Sequence, residues 1–145
     1  MTTEHVALIR RFYTQAWGMG NYAVCDDVFH DDYLRHDARP GDAPGPEGQK
    51  QVAEAFRAAL PDLVWQIDVL FGDGEYVCGR WTATGTHKGT WAGIEPTGRT
   101  VRFSGSNIFR FTDGKVAELW NHRDDLGLMQ QLGAATPPSA PEPPR

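Results

Sequence analysis

A group of polar side chains near the C-terminus has the residue types and the spacing for acid–base chemistry. Residues 115–132, KVAELWNHRDDLGLMQQL, are typical of a strand that ends in a polar cluster and turns into a short helix. Alternate residues of a strand point to the same face of the sheet. Four residues therefore share one predicted face: Glu118, Trp120, His122 and Asp124. If this face packs inward, its ionisable groups line a pocket.

Asp124 is the strongest candidate for a general acid or base. A carboxylate in a water-poor pocket is desolvated, and desolvation raises its proton affinity towards the working pH. Asp125 stands directly before the last helix and is predicted to cap it, which leaves Asp124 to face the cavity. The alternative is that Asp124 is itself a helix cap or a surface acid.

Three further polar residues are candidates to assist this carboxylate. His122 can share its proton or bind a substrate carbonyl, or it can be a buried structural histidine. Asn107 alternates with apolar residues on the preceding strand, so its amide needs a partner, either Asp124 or a ligand oxygen. Arg80 can pair with Asp124 and hold an anionic oxygen, although the opposite face of its strand is an equally good core face.

The elements that must position these residues follow from the hydrophobic period. Helices are predicted over about Glu4–Trp17, Asn21–Val28 and Gln49–Leu60, and strands over Leu63–Phe71, Tyr76–His87, Arg99–Phe111 and from Lys115. Helices gathered before strands predict an α+β domain, with the helices packed on one face of a strongly curved antiparallel sheet. Residues 1–133 are predicted to form this domain, and the proline-rich residues 134–145 a disordered tail.

Composition excludes several classes of function. A chain of 145 residues with a formal charge of −5 fits one domain and argues against a nucleic-acid groove. No segment resembles a signal peptide or a membrane span, so a soluble cytoplasmic protein is expected. His36, His87 and His122 lack the spacing of metal ligands, and no G-x-S-x-G elbow or phosphate loop occurs. We therefore expect no metal and no cofactor.

Four stretches carry a resemblance to a known family. They are YLRH (33–36), AALPDLVWQIDVL (58–70), GTHKGTWAGIEPTGRTV (85–101) and DGKVAELWNHRDDLGLMQQLG (113–133). They resemble the SnoaL-like polyketide cyclases, often called ester cyclases, of the nuclear-transport-factor-2-like superfold. The resemblance implies a cone-shaped α+β barrel that holds a small hydrophobic ligand, and a homodimer built through the outer face of the sheet.

The resemblance also implies a chemistry. Asp124 falls in the pattern W-x-x-x-D-x-L-G, where this family keeps its acid–base carboxylate. In these enzymes the carboxylate abstracts a proton alpha to a carbonyl, and the enolate closes a ring by intramolecular aldol attack. We therefore expect a cofactor-independent cyclase, or a related lyase or isomerase, acting on a polyketide-like carbonyl compound. The predicted substrate-binding residues are Tyr13, Trp17, His36, Phe56, Trp65, Phe109 and Trp120.

Two other interpretations stay open. Epoxide hydrolases on this superfold resemble an Asp-Arg-Asp set, but Arg80 is followed by Trp81 and Thr82, so the second carboxylate is missing and hydrolysis is disfavoured. A hydroxylase role is compatible with the sequence. A non-catalytic ligand-binding or dimerising module would instead leave Asp124 exposed and fill the cavity with aromatic side chains.

Overall fold

The computed structural model describes residues 2–134, which form four helices and five strands. The helices are α1 (Thr2–Phe12), α2 (Cys25–Val28), α3 (Pro46–Ala59) and α4 (Asp125–Gln131). The strands are β1 (Phe29–Arg35), β2 (Val64–Asp73), β3 (Tyr76–Thr86), β4 (Thr100–Thr112) and β5 (Lys115–Arg123). A π-helical turn, Tyr13–Trp17, continues α1. The predicted proline-rich tail lies outside the described residues, apart from Ala134.

The five strands form one open sheet in the order β1-β5-β4-β3-β2. Strands β2 to β5 pair antiparallel as a meander, whereas β1 pairs parallel with β5 at one edge. The predicted α+β class is confirmed. The sheet is mixed because β1, which directly follows α2 and was not predicted, joins the meander from the helical half of the chain.

The helices cover one face of this sheet and bury its apolar side chains. On β3 the buried apolar side chains are Val77, Trp81 and Ala83, and on β4 the buried residues include Val101, Phe103, Asn107, Phe109 and Phe111. The predicted inward face of β4 is therefore confirmed. Within residues 2–134, no helix is long and apolar enough to cross a membrane.

An extra residue in β5 decides which of its side chains reach this core. Phe111 of β4 pairs with Val116, whereas the residue before it, Arg110, pairs with Glu118. Ala117 is therefore left without a partner. Such a bulge moves every later side chain to the opposite face of the strand. Leu119 is consequently buried, at 2% exposure.

The predicted inward group on β5 is therefore wrong. Its members Glu118, Trp120 and His122 pair with Arg110, Ile108 and Ser106, whose side chains lie on the sheet face away from the helices. The residues of β5 that line a small cavity on the helix-covered face are instead Leu119, Asn121 and Arg123.

Candidate functional site

A small cavity lies between the helices and the inner face of the sheet. It has a volume of about 20 Å³, which is enough for about one water molecule. Its apolar wall includes Phe12, Trp17, Trp65, Trp81 and Phe109, and its polar wall includes Arg35, Asn107, Asn121 and Arg123. Of the predicted substrate-binding residues, Trp17, Trp65 and Phe109 thus line this inner cavity.

Three stacked indoles form the floor of the inner cavity. The ring of Trp65 lies 4.1 Å from that of Trp81 and 4.7 Å from that of Trp17, between ring centroids. Two glycines permit the close approach of aromatic rings to the sheet. A Cβ atom at Gly79 would collide with the ring and hydroxyl of Tyr13, and one at Gly105 would collide with Trp81.

Asn107 is the centre of a buried hydrogen-bond network. Its Oδ1 accepts from the hydroxyl of Tyr13 at 2.7 Å and from Nε1 of Trp81 at 3.1 Å. Its Nδ2 donates to Oδ1 of Asn121 at 2.7 Å. Because two donors point at one atom of Asn107, that atom must be its oxygen, and the orientation of the amide is fixed. The predicted partner, Asp124, takes no part in this network.

The network ends on a carboxylate at the outer side of the cavity. Nδ2 of Asn121 donates to Asp37 at 2.8 Å, and Nε and Nη2 of Arg35 donate to the same carboxylate at 3.1 and 3.4 Å. Burial alone would raise the pKa of Asp37, but the hydrogen bonds from Arg35 and Asn121 outweigh it and hold the pKa below its ordinary value. Asp37 is therefore an anion at neutral pH.

A wider mouth opens next to the inner cavity. It has a volume of about 320 Å³, at the lower end of the range for ligand pockets. It shares Arg35, Val52, Asn121 and Arg123 with the inner cavity. Its other lining residues are Asp37, Arg39, Asp42, Ala55, Phe56, His122 and Asp125. Phe56 is thus a wall of the mouth, and the exposed His122 contributes only to its rim.

The two adjacent aspartates after β5 have the opposite roles to those predicted. Asp124 is exposed and is the N-cap of α4, where its Oδ1 accepts from the backbone N–H of Gly127 at 2.9 Å. Asp125 is the first residue of α4, and its carboxylate binds the guanidinium of Arg123 in the mouth. Asp124 is the single residue between the end of β5 and the start of α4, so it occupies the capping position.

Arg80 also lies outside the cavity. It is on the exposed face of β3, where it pairs with Asp68, which also accepts from Oγ1 of Thr82 at 2.6 Å. Arg80 and Asp124 line one shallow polar depression that belongs to neither cavity. The opposite face of β3, which carries Trp81, is the core face.

His36 and Trp120, both predicted to bind substrate, lie on the outer face of the sheet. Their rings stack at 4.8 Å between centroids. Nε2 of His36 lies 2.6 Å from one oxygen of Glu118, whose other oxygen accepts from Nε of Arg110 at 2.9 Å. Hydrogen bonds from Arg110 and His36 lower the pKa of Glu118. The bulge at Ala117 explains why Trp120 lies on this face.

Four residues of the site were missed from the sequence: Arg35, Asp37, Asn121 and Arg123. The last two stand directly beside the predicted Trp120, His122 and Asp124, so the error is a shift of one residue. Arg35 and Asp37 are two apart in a segment where no strand was predicted. Within residues 2–134, no group of three or more histidine, cysteine, aspartate or glutamate side chains is placed to hold a metal ion.

Comparison with solved structures finds the same fold in several proteins. TsrD from Streptomyces laurentii is 28% identical with a TM-score of 0.83, over 92% of this chain and 97% of that one. A proposed polyketide cyclase from Bacillus cereus ATCC 10987 is 31% identical with a TM-score of 0.77, over 91% and 82%. IdmH from Streptomyces antibioticus, a proposed polyketide cyclase, is 28% identical with a TM-score of 0.73, over 89% and 98%.

No curated protein is significantly similar in sequence to this chain. A family model does match it. The model is that of the SnoaL-like polyketide cyclases, and it spans residues 7–132, which include every element of the sheet and both cavities. The chain belongs to the SnoaL-like polyketide cyclase family.

Proposed function

We propose that the protein is a cofactor-independent cyclase that closes a ring by intramolecular aldol reaction in a hydrophobic, polyketide-like carbonyl compound. The observation that carries the proposal is the position of Asp37. Its carboxylate is half-buried beside a mouth of ligand size, and Arg35 and Asn121 hold it as an anion in a fixed orientation.

In the proposed reaction Asp37 takes the place that the sequence pattern suggested for Asp124. The carboxylate accepts a proton from the carbon alpha to a carbonyl, which leaves an enolate. The enolate carbon attacks a second carbonyl carbon of the same molecule, and a carbon–carbon bond forms. The oxygen of the attacked carbonyl then takes the proton back from Asp37, so the product is an isomer of the substrate.

The low pKa of Asp37 constrains this mechanism. An anionic carboxylate is available at neutral pH, but a weakly basic one gains little by accepting a proton. The reaction therefore depends on groups that stabilise the enolate as it forms. Arg35 is suited to this task because it is a cation that lines both the inner cavity and the mouth.

Exchange of alpha protons for deuterium tests the first step without requiring the natural substrate. We would incubate the protein in D₂O with aryl ketones that carry a neighbouring ester, such as methyl 2-acetylbenzoate, and follow deuterium uptake by NMR. The wild type is expected to accelerate exchange, and Asp37→Asn to lose at least about a hundredfold of that rate, the usual contribution of a general base. Asp124→Asn is the matched control and should keep the wild-type rate.

Loss of exchange in Asp124→Asn, with Asp37→Asn unaffected, would reject Asp37 and restore the carboxylate of the family pattern. Both substitutions are conservative for the fold. Asn is as good a helix cap as Asp at position 124, and the amide oxygen that Asp37→Asn introduces can still accept from Asn121.

A non-catalytic ligand-binding module is the second candidate, and two observations favour it. The inner cavity is nearly filled, and Asp124 is an exposed helix cap, as that alternative predicts. The exchange experiment separates the two functions. A protein that binds the ketones, measured by quenching of tryptophan fluorescence, but does not accelerate exchange in any of them would be a binding module.

We also propose a homodimer that forms through the outer face of the sheet. Trp120, Ile108, Cys78 and Phe71 lie opposite one another on four adjacent strands, and Ile108 and Phe71 are 41% and 56% exposed. Such an apolar band suits an isologous interface. Sedimentation is expected to show a dimer that Ile108→Lys converts to a folded monomer. A wild-type monomer at micromolar concentration would contradict the proposal.

A further inference from the structure

Two residues that line the inner cavity each carry a buried donor without a hydrogen-bond partner. Among residues 2–134, four buried side-chain nitrogens have no hydrogen-bond partner: His5 Nδ1, Arg35 Nη1, Trp65 Nε1 and His87 Nε2. Two of the four, Arg35 Nη1 and Trp65 Nε1, belong to residues that line the inner cavity. Buried polar groups in proteins are almost always paired, so each of these donors lacks an acceptor that a bound water or ligand would supply.

The local contacts explain why neither group finds an acceptor within the protein. Arg35 uses Nε and Nη2 on Asp37, while its Nη1 lies 3.8 Å from Asp42, too far for a hydrogen bond. The indole of Trp65 stacks on those of Trp81 and Trp17, and its Nε1 is buried without an acceptor. Trp81, stacked on it, differs in this respect, because its Nε1 donates to Asn107.

The chemistry of the two groups defines the ligand atom. A guanidinium and an indole N–H donate and cannot accept, so the complementary atom carries lone pairs and binds best when it is negatively charged. The cavity volume of about 20 Å³ admits about one atom the size of a water oxygen. A ring or a chain does not fit there and must remain in the adjacent mouth of about 320 Å³.

We propose that the inner cavity is an oxyanion subsite, in which Arg35 Nη1 and Trp65 Nε1 donate to a single anionic oxygen of the ligand. The inference rests on the proposed function, and it names the substrate feature that the site selects: a carbonyl oxygen that can become an enolate or a phenolate. During proton abstraction the subsite stabilises the charge that Asp37 creates. It thereby compensates for the low basicity of that carboxylate.

Binding of 4-nitrophenol tests the subsite separately from catalysis. The phenol and the phenolate differ in colour, so the apparent pKa of the bound probe can be read from absorbance at saturating protein. We expect the wild type to prefer the phenolate by at least about tenfold, which lowers the apparent pKa of the bound probe by about one. Trp65→Phe and Arg35→Lys should each remove most of this preference.

Trp91→Phe is the comparison variant, because it removes an indole that packs against the core but lines neither the inner cavity nor the mouth. It should keep the phenolate preference. A bound probe that titrates like free nitrophenol, an unchanged preference in Trp65→Phe, or no binding up to the solubility of the probe would each overturn the proposal. A change in packing alone would alter affinity without selecting the phenolate.

A crystal structure of the ligand-free wild type supplies a second readout that depends on no variant. An ordered water within hydrogen-bonding distance of both Arg35 Nη1 and Trp65 Nε1 is expected, and an empty cavity would overturn the proposal. Phenolate preference without deuterium exchange would leave the subsite standing and reject the cyclase. Deuterium exchange that depends on Asp37, without phenolate preference, would overturn the subsite and leave the cyclase standing.

Discussion

Asn107 Nδ2 donates to Asn121 Oδ1 at 2.7 Å across the β4–β5 pair, and this bond joins the core of the protein to its pocket mouth. On the inner side, Asn107 accepts from Tyr13 and Trp81. On the outer side, Asn121 donates to Asp37. Every donor in this series of hydrogen bonds therefore points from the buried aromatic residues towards the carboxylate of Asp37, which is the terminal acceptor.

Replacing Asn107 by Leu should destabilise the protein beyond the loss of one contact. The hydroxyl of Tyr13 and the N–H of Trp81 would both stay buried without an acceptor, and each unpaired group costs about 1–3 kcal/mol. We expect the free energy of unfolding in urea to fall by about 2–4 kcal/mol.

A double-mutant cycle of Asn107→Leu and Asn121→Leu measures the bond itself. The two residues share a hydrogen bond, so a coupling of about 0.5–3 kcal/mol is expected between them. Ser106→Ala, at an exposed neighbouring position of β4, should be close to neutral. Strictly additive effects of the two leucine substitutions would show that the amide–amide bond contributes no stability.

Asp37 should make the stability of the protein depend on acidic pH. Its pKa in the folded state lies below the ordinary value of 3.8, so the ionised side chain is stabilised more in the folded than in the unfolded state. The resulting stabilisation is complete above the unfolded-state pKa and is lost as the pH falls through the lower folded-state pKa. Asp37→Asn should therefore lose stability relative to the wild type at pH 7 and approach it towards pH 2.

Urea unfolding at a series of pH values gives this comparison directly. Other carboxylates also titrate in the same range, among them Asp62 and Asp68, whose pKa values are lowered by hydrogen bonds. The informative quantity is hence the difference between wild type and Asp37→Asn at each pH. A difference that stays constant from pH 7 to pH 2 would contradict the assignment of the low pKa to Asp37.

The fold could be predicted from the sequence because its signals are local and repeated. The helical stripe of α1, the alternation of β4 and the Asp113-Gly114 turn each indicate their element without reference to the rest of the chain. Strand β1 was missed because FHDDYLR carries few apolar residues and depends on pairing with β5. Edge strands of this kind are specified by their partner rather than by their own composition.

The site was predicted on the correct strand and on the wrong face. Nothing in KVAELW indicates that Ala117 forms a bulge. Because of that one residue, Asn121 and Arg123 line the cavity in place of the predicted His122 and Asp124. Because side chains alternate with a period of two, any unseen insertion inverts all later assignments. The inward face of Asn107 was predicted correctly because β4 pairs regularly with β5 from Gly105 to Arg110, without a bulge.

Gly79→Ala should disturb the site from the sheet side. A Cβ atom at position 79 would collide with the ring and hydroxyl of Tyr13, whose bond to Asn107 anchors the buried network. Overpacking of this kind costs about 1–3 kcal/mol, and the near-ultraviolet circular dichroism of the stacked indoles should change with it. Gly18→Ala is the control, because its Cβ would make only an ordinary contact of 3.5 Å. An unperturbed spectrum in Gly79→Ala would show that Tyr13 can move without consequence.

The cap of α4 gives a prediction in which the sign of an effect reverses. Asp124→Ala removes the bond to the Gly127 N–H and should cost about 0.5–2 kcal/mol, whereas Asp124→Asn keeps the cap and should be nearly neutral. Gly127→Ala should also destabilise the wild type, although Ala favours helix by about 1 kcal/mol, because its Cβ would collide with the Asp124 carboxylate. In the Asp124→Ala background that collision is absent, so Gly127→Ala should become stabilising. Urea unfolding of the four proteins of this cycle decides the matter: equal effects of Gly127→Ala in both backgrounds would mean that Asp124 does not cap α4.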